Sequence, residues 1–145
     1  MKLKIKLMDL DKPNRNNLVF TKEAIENAYK NLDSKELPLV FIGDDDFDFQ
    51  VMYNIIGGNV LGTAQITNLQ YPAIELNAKI TNDIFKEAIR KNLGGFGLNY
   101  LATVEPSDND VKVVSEAKIS TIGYTLNPAS VTSFEIIRDT ELNGD

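Results

Sequence analysis

The residues of this 145-residue sequence whose types and spacing could do chemistry fall into a few groups. Asp44-Asp45-Asp46-Phe47-Asp48 puts four carboxylates into five positions, and Asp44, Asp46 and Asp48 together could offer oxygen ligands to a hard cation such as Ca²⁺. The stretch lacks the glycine and the distal glutamate of an EF-hand loop, so a solvated acidic loop is the favoured reading and no metal or other cofactor is expected. Adjacent aspartates on an exposed loop stay ionised and provide no raised-pKa acid for glycosidase work. A same-sign cluster of this density can instead steer encounters with a basic partner.

Ser115, Ser120, Ser130 and Ser133 are the hydroxyls towards the C-terminus, and with Lys112 or Lys118 one of them could form a Ser-Lys dyad, which needs no histidine. No nucleophile elbow and no Ser-x-x-Lys spacing accompanies them, which favours ordinary surface or turn serines. Gly57-Gly58 and Gly94-Gly95-Phe96-Gly97 are glycine-rich. A phosphate cradle lies between a strand and a helix start, whereas Gly94-Gly95 follows an expected helix, so a helix C-cap is the simpler assignment. Phe41, Phe47, Phe49, Tyr53 and Tyr100 could form a stacking patch, but flanking strands make them better candidates for the core.

Composition narrows the chemistry further. With no His and no Cys, the chain lacks the commonest neutral-pH base, thiolate nucleophiles, disulfides and the usual zinc ligands. Fifteen Lys+Arg against 21 Asp+Glu leave −6, without the basic footprint of a nucleic-acid binder. The excess is local: residues 39–84 hold one base and six acids, or −5. A composition 43% hydrophobic and 25% charged is that of a globular domain. No apolar run approaches the roughly 20 residues of a membrane helix, and the first residues lack the apolar segment of a signal peptide, so neither membrane nor export is expected. One domain over 1–138 is expected, followed by a polar acidic tail at 139–145.

The elements that must position these groups follow from periodicity. Leu3, Ile5 and Leu7 alternate with lysines, which calls for a strand with one wet face. A turn-forming Pro13-Asn14-Arg15-Asn16-Asn17 precedes Thr21, the expected cap of a helix over 22–33 with Ala24, Ile25, Ala28, Tyr29 and Leu32 on its apolar face. Strands are expected at 38–42, 51–56, 60–67 and 73–80. A second helix should start at Thr81 or Asn82, show Ile84, Phe85, Ala88 and Ile89 on one face, and stop at Gly94-Gly95. Strands at 96–104, 111–114, 119–125 and 131–137 complete the chain. Strands with two interposed helices and no βαβ alternation imply α+β, a mostly antiparallel and barrel-like sheet.

Four stretches in one order carry a resemblance: Asn14-Arg15-Asn16-Asn17-Leu-Val-Phe20 before a helix, Pro38-Leu-Val-Phe-Ile-Gly-Asp44, Phe96-Gly-Leu-Asn-Tyr100, and Thr121-Ile-Gly-Tyr-Thr-Leu-Asn-Pro-Ala129. Together they resemble the ordered motifs of the tailed-phage prohead maturation proteases, which share a barrel fold with the herpesvirus assemblins. That family's pattern runs Pro-apolar-apolar-apolar-x-His-Asp, an apolar-Gly pair similar to Leu61-Gly62, a helix before Gly-Phe-Ser-Ile-Gly-Phe, and Glu-Val-Ser-Leu-Val-x-x-Pro-Ala. Pro38, Asp44, Gly62, Phe96, Pro128 and Ala129 fit it. Gly43 stands at the family's His position, Gly97 at its nucleophilic Ser and Thr121 at its acidic position.

The resemblance thus implies the family's fold without its catalytic groups, since glycine supplies neither hydroxyl nor imidazole. It implies a non-enzymatic phage or prophage protein, in the virion or host cytoplasm, that serves capsid structure, decoration or assembly. Its partner would be the major capsid or a scaffold protein, and a homo-oligomer is expected. A protease with a relocated nucleophile and base is the alternative, and an acidic cation-binding module is a second.

Overall fold

The computed structural model describes residues 1–42, 60–107, 110–126, 128 and 131–139. The expected strand at 51–56, the Asp44 to Asp48 cluster, Gly43, Phe47, Phe49, Tyr53, Gly57-Gly58, Ser130 and residues 140–145 lie outside these.

Eight strands and two helices are seen among the described residues, in the order β1 (Lys2–Met8), β2 (Leu18–Phe20), α1 (Lys22–Lys30), β3 (Glu36–Phe41), β4 (Val60–Gln70), β5 (Ala73–Ile80), α2 (Asp83–Arg90), β6 (Gly95–Pro106), β7 (Lys112–Thr125) and β8 (Val131–Arg138). The alternation read in β1 holds, with Leu3, Ile5 and Leu7 buried and the three lysines exposed. All eight strands join one curled sheet, ordered β2-β7-β3-β4-β5-β1-β8, with β6 on β7. Its two ends approach each other where the Phe96 N–H donates to Thr132 Oγ1 at 3.4 Å and the Phe96 and Phe134 rings meet edge to face at 5.3 Å.

Five of the seven strand pairings are antiparallel, but β2 and β3 both run parallel to β7, so the sheet is mixed and half-barrel in shape. The parallel pairs are not visible in the element order because β2 is three residues long and falls between the expected turn at 13–17 and the expected cap at Thr21, where no element is expected. Its short run carries no periodicity of its own and is held by Leu18, Val19 and Phe20 pairing with Lys112, Val113 and Val114. The two strands expected at 111–114 and 119–125 are one, because Glu116, Ala117 and Lys118 continue the pairing with β6 across an irregularity at Ser115.

Both helices begin where expected. Thr21 Oγ1 accepts from the Ala24 N–H at 3.1 Å, and Thr21 also donates to the Val114 carbonyl, tying the start of α1 to β7. α1 ends at Lys30 rather than 33, with Asn31 as its C-cap. Asn82 caps α2 through the Ile84 N–H at 3.0 Å. α2 ends at Arg90, before Gly94-Gly95: Asn92 takes the left-handed turn at φ 57°, Gly94 repeats it at 74°, and Gly95 already belongs to β6. The buried face of α2 is Phe85, Lys86 and Ile89, and Ile84 is 49% exposed. One step of about 100° in a helix rotates Ile84 past the edge of a face centred on Phe85 and Ile89.

The core is largely aliphatic, built from the inner faces of the strands with Ala24, Ile25 and Ala28 of α1, and a group of aromatic rings fills the part between α2 and the sheet. Phe85 packs on Phe41 at 4.9 Å and on Tyr124 at 6.0 Å, and Tyr124 packs on Phe96 at 5.1 Å. Gly62 permits the closest backbone approach in the sheet, since a Cβ there would lie 1.8 Å from the Lys79 carbonyl oxygen.

Candidate functional site

β6 and β7 form a two-stranded ribbon in which Gly97 faces Gly123 and Asn99 faces Thr121. Directly opposite residues of an antiparallel pair share a face, and residues two apart on one strand share it as well. Gly97, Asn99, Thr121 and Gly123 therefore lie on one face, so two of the three positions singled out by the resemblance come together. Ile42, the residue before Gly43, reaches the same place, its N–H donating to the Tyr124 carbonyl at 2.9 Å. Gly43 itself is outside the described residues.

At this place the sheet lines a partly open cavity of about 230 Å³, walled by Leu7, Leu10, Phe20, Phe96 and Leu98, with Gly97, Asn99 and Gly123 along the β6–β7 side. The loop of Asn14, Arg15 and Asn16 borders it. Asn14 Oδ1 accepts from the Asn16 and Leu18 N–H groups at 2.8 and 3.1 Å, which fixes that loop before β2. Among the described lining residues, the titratable side chains are Arg15 and Tyr100, and burial pushes the Tyr100 phenol above its ordinary value. A carboxylate or lysine is not found in that lining.

The two glycines behave differently. A Cβ on Gly97 would meet no atom of the described residues within 4 Å, so among them a side chain has room there. A Cβ on Gly123 would come within 2.6 Å of Ile42 Cδ1, so that space is taken by Ile42. Thr121 accepts a hydrogen bond from Asn99 Nδ2 at 2.7 Å. The Asn99–Thr121 pair was not singled out in the sequence, although the two-residue spacing from Gly97 to Asn99 and from Thr121 to Gly123 would have placed all four on one face. Arg15 and Asn14 were seen there only as turn residues.

The serines lie elsewhere. Ser120 Oγ donates to the Asn99 carbonyl at 3.1 Å and Ser115 Oγ to the Thr103 carbonyl at 3.3 Å, both across the β6–β7 ribbon. Lys118 reaches Asp33 at 3.6 Å, and Ser133 is exposed on β8. Of the expected aromatic patch, Phe41 is in the core against Phe85, while Tyr100 packs on Phe20 at 5.0 Å, so these two do not share a surface. Among the described residues there is no cluster of His, Cys, Asp or Glu suited to a metal, and no helix long and apolar enough to cross a membrane.

No family model matches the chain, and no curated protein matches it. A solved structure does: the capsid assembly protease gp21 of bacteriophage T4, with a TM-score of 0.63 over 86% of this chain and 81% of that one, at 13% identity. At that identity the likeness concerns the fold, and the curled sheet with its two helices is similar to that of a phage capsid assembly protease.

Proposed function

We propose that this chain is a non-enzymatic phage or prophage protein that uses a prohead-protease-like fold for capsid structure, decoration or assembly, through contacts with the major capsid or scaffold protein and with copies of itself. The observation that carries this reading is the open space at Gly97. A cavity is present, the place for a side chain is free of the described residues to 4 Å, and the residue there carries none. A serine hydrolase needs a hydroxyl, a base to take its proton and a group to orient that base, and the described lining supplies Tyr100 and Arg15, both poor bases at neutral pH. The capsid role is supported by the structural similarity to a capsid assembly protease, which is an analogy of fold.

Two measurements test the halves of this reading separately. A serine-directed fluorophosphonate probe with intact-mass readout is expected to leave the purified chain unmodified, and a single adduct lost in Ser120→Ala or Ser115→Ala would establish an activated serine and overturn the non-enzymatic reading. Quantitative mass spectrometry of proheads and mature particles is expected to find the chain in a fixed ratio to the major capsid subunit in one or both. Its absence from both would remove the capsid role.

A further inference from the structure

Beyond the cavity, the outer face of the sheet carries a feature that the fold itself does not explain. β1 lies between β5 and β8, and Lys2 is directly opposite Lys79 on one side and Arg138 on the other. Three cations therefore stand in one cross-strand row, in a chain whose net charge is −6. Like charges in directly opposite positions repel at side-chain contact distance. Lys2, Lys4, Lys6 and Lys79 form no ion pair among the described residues, and all four are exposed. The carboxylates on this face are Glu135 opposite Lys4, Glu75 opposite Lys6, and Glu36 on β3, and none of these is directly opposite Lys2 or Lys79.

Beside the row runs an open groove of about 440 Å³, lined by Thr63, Gln65 and Asn77 with Lys2 and Lys79, two cations against the single carboxylate of Glu36. Its side chains offer hydroxyl and amide groups that can hydrogen-bond both carboxylates and peptide groups. Ile137, 58% exposed, adds one apolar contact.

We infer that the outer face of β5–β1–β8 is a docking surface for a short acidic segment of a protein partner, whose carboxylates seat on Lys2 and Lys79. The lysines of β1 recur every second residue, about 6.8 Å apart, the repeat of alternate side chains in an extended chain. A nucleic acid fits less well: affinity for a phosphate backbone grows with the number of phosphates neutralised, and this row offers few cations. The surface is on the opposite side of β1 from Leu7, which lines the cavity, so it stands or falls independently of the role of Gly97.

The test uses the full chain and a fluorescein-labelled peptide of alternating Glu and Thr, followed by anisotropy at about 50 mM salt. The expected result is saturable binding that weakens at least about tenfold in Lys2→Gln/Lys79→Gln and less than about twofold in the control Lys30→Gln/Lys112→Gln. All four positions are exposed, and matching circular dichroism melts confirm that each variant is folded. Absence of saturable binding, equal loss in both variants, or tighter binding of an oligothymidylate of equal charge would each overturn the proposal.

Discussion

Gly97 and Gly62 both sit in strands, yet they predict opposite responses to the same change. With none of the described residues within 4 Å of its Cβ position, Gly97→Ser is expected to leave stability within about 0.5 kcal/mol of the parent. Gly62→Ala drives a methyl into the backbone carbonyl of Lys79 and is expected to cost at least about 2 kcal/mol, since strands β4 and β5 must separate. Urea unfolding of the two variants checks the contrast, and a large loss in Gly97→Ser would mean that the cavity closes over that position.

Tyr124 supplies a pH prediction at the same scale. Its phenol is fully buried among Phe41, Phe85 and Phe96 and donates to the Leu93 carbonyl at 2.6 Å. Burial pushes it up to about 12. An unfolded tyrosine loses its proton near 10, so between about pH 10 and 12 the unfolded state binds fewer protons than the native one. Stability therefore falls across that window, by about 2 kcal/mol, and is unaffected by this group below it. Denaturant midpoints at pH 9 and pH 11 measure the fall, and Tyr124→Phe should abolish most of it.

At the scale of elements, α2 is held to the end of β8 by a bidentate pair. Arg90 donates from Nε and Nη2 to the two carboxylate oxygens of Asp139 at 2.6 and 3.0 Å, and Asp139 is 2% exposed. This acid stands where the sequence placed the first residue of a polar tail, because nothing in its local sequence names a partner 49 residues away. Asp139→Asn is expected to cost about 3 kcal/mol and to loosen α2, read as faster amide exchange in that helix. Phe85→Ala should cost about 3–5 kcal/mol, whereas Ile84→Ala, on the exposed side of the same helix, should lie within about 0.5 kcal/mol. Thermal melts compare the two.

The charged row on β1 makes the last element-scale prediction. Lys79→Glu puts an opposite charge beside Lys2 and is expected to raise stability by about 0.2–1 kcal/mol, an effect that shrinks in high salt. The acidic replacement would at the same time remove the proposed docking surface. Stability and peptide affinity should therefore move in opposite directions in this variant.

At the scale of the whole molecule, the sheet is a half-barrel whose ends approach at Phe96, Thr132 and Phe134. Phe96→Ala is expected to destabilise the fold by about 3–5 kcal/mol, since that ring joins the two ends of the sheet and also packs on Tyr124. Beyond Tyr100, residues 101–106 of β6 are exposed on both faces, although Ala102 and Val104 continue the alternation that reads as a buried strand. Alternation reports that a strand can bury one face, and only the neighbours decide whether anything covers it.

Several features were legible in the sequence because they are local: the alternating Leu and Lys of β1, Thr21 and Asn82 as caps, and the turn at Gly94-Gly95 between α2 and β6. The ordered motifs also pointed to the fold that the similarity to a capsid assembly protease supports. The tertiary structure alone decided what depends on pairs distant along the chain. It placed β2 and β3 parallel to the same strand, set Asn99 on Thr121, seated Asp139 on Arg90, and lined up Lys79, Lys2 and Arg138 in one row. Residue type and spacing set which conformations a segment prefers, but register between strands far apart in sequence is fixed by packing of the complete sheet, and both the cavity and the cationic row are products of that register.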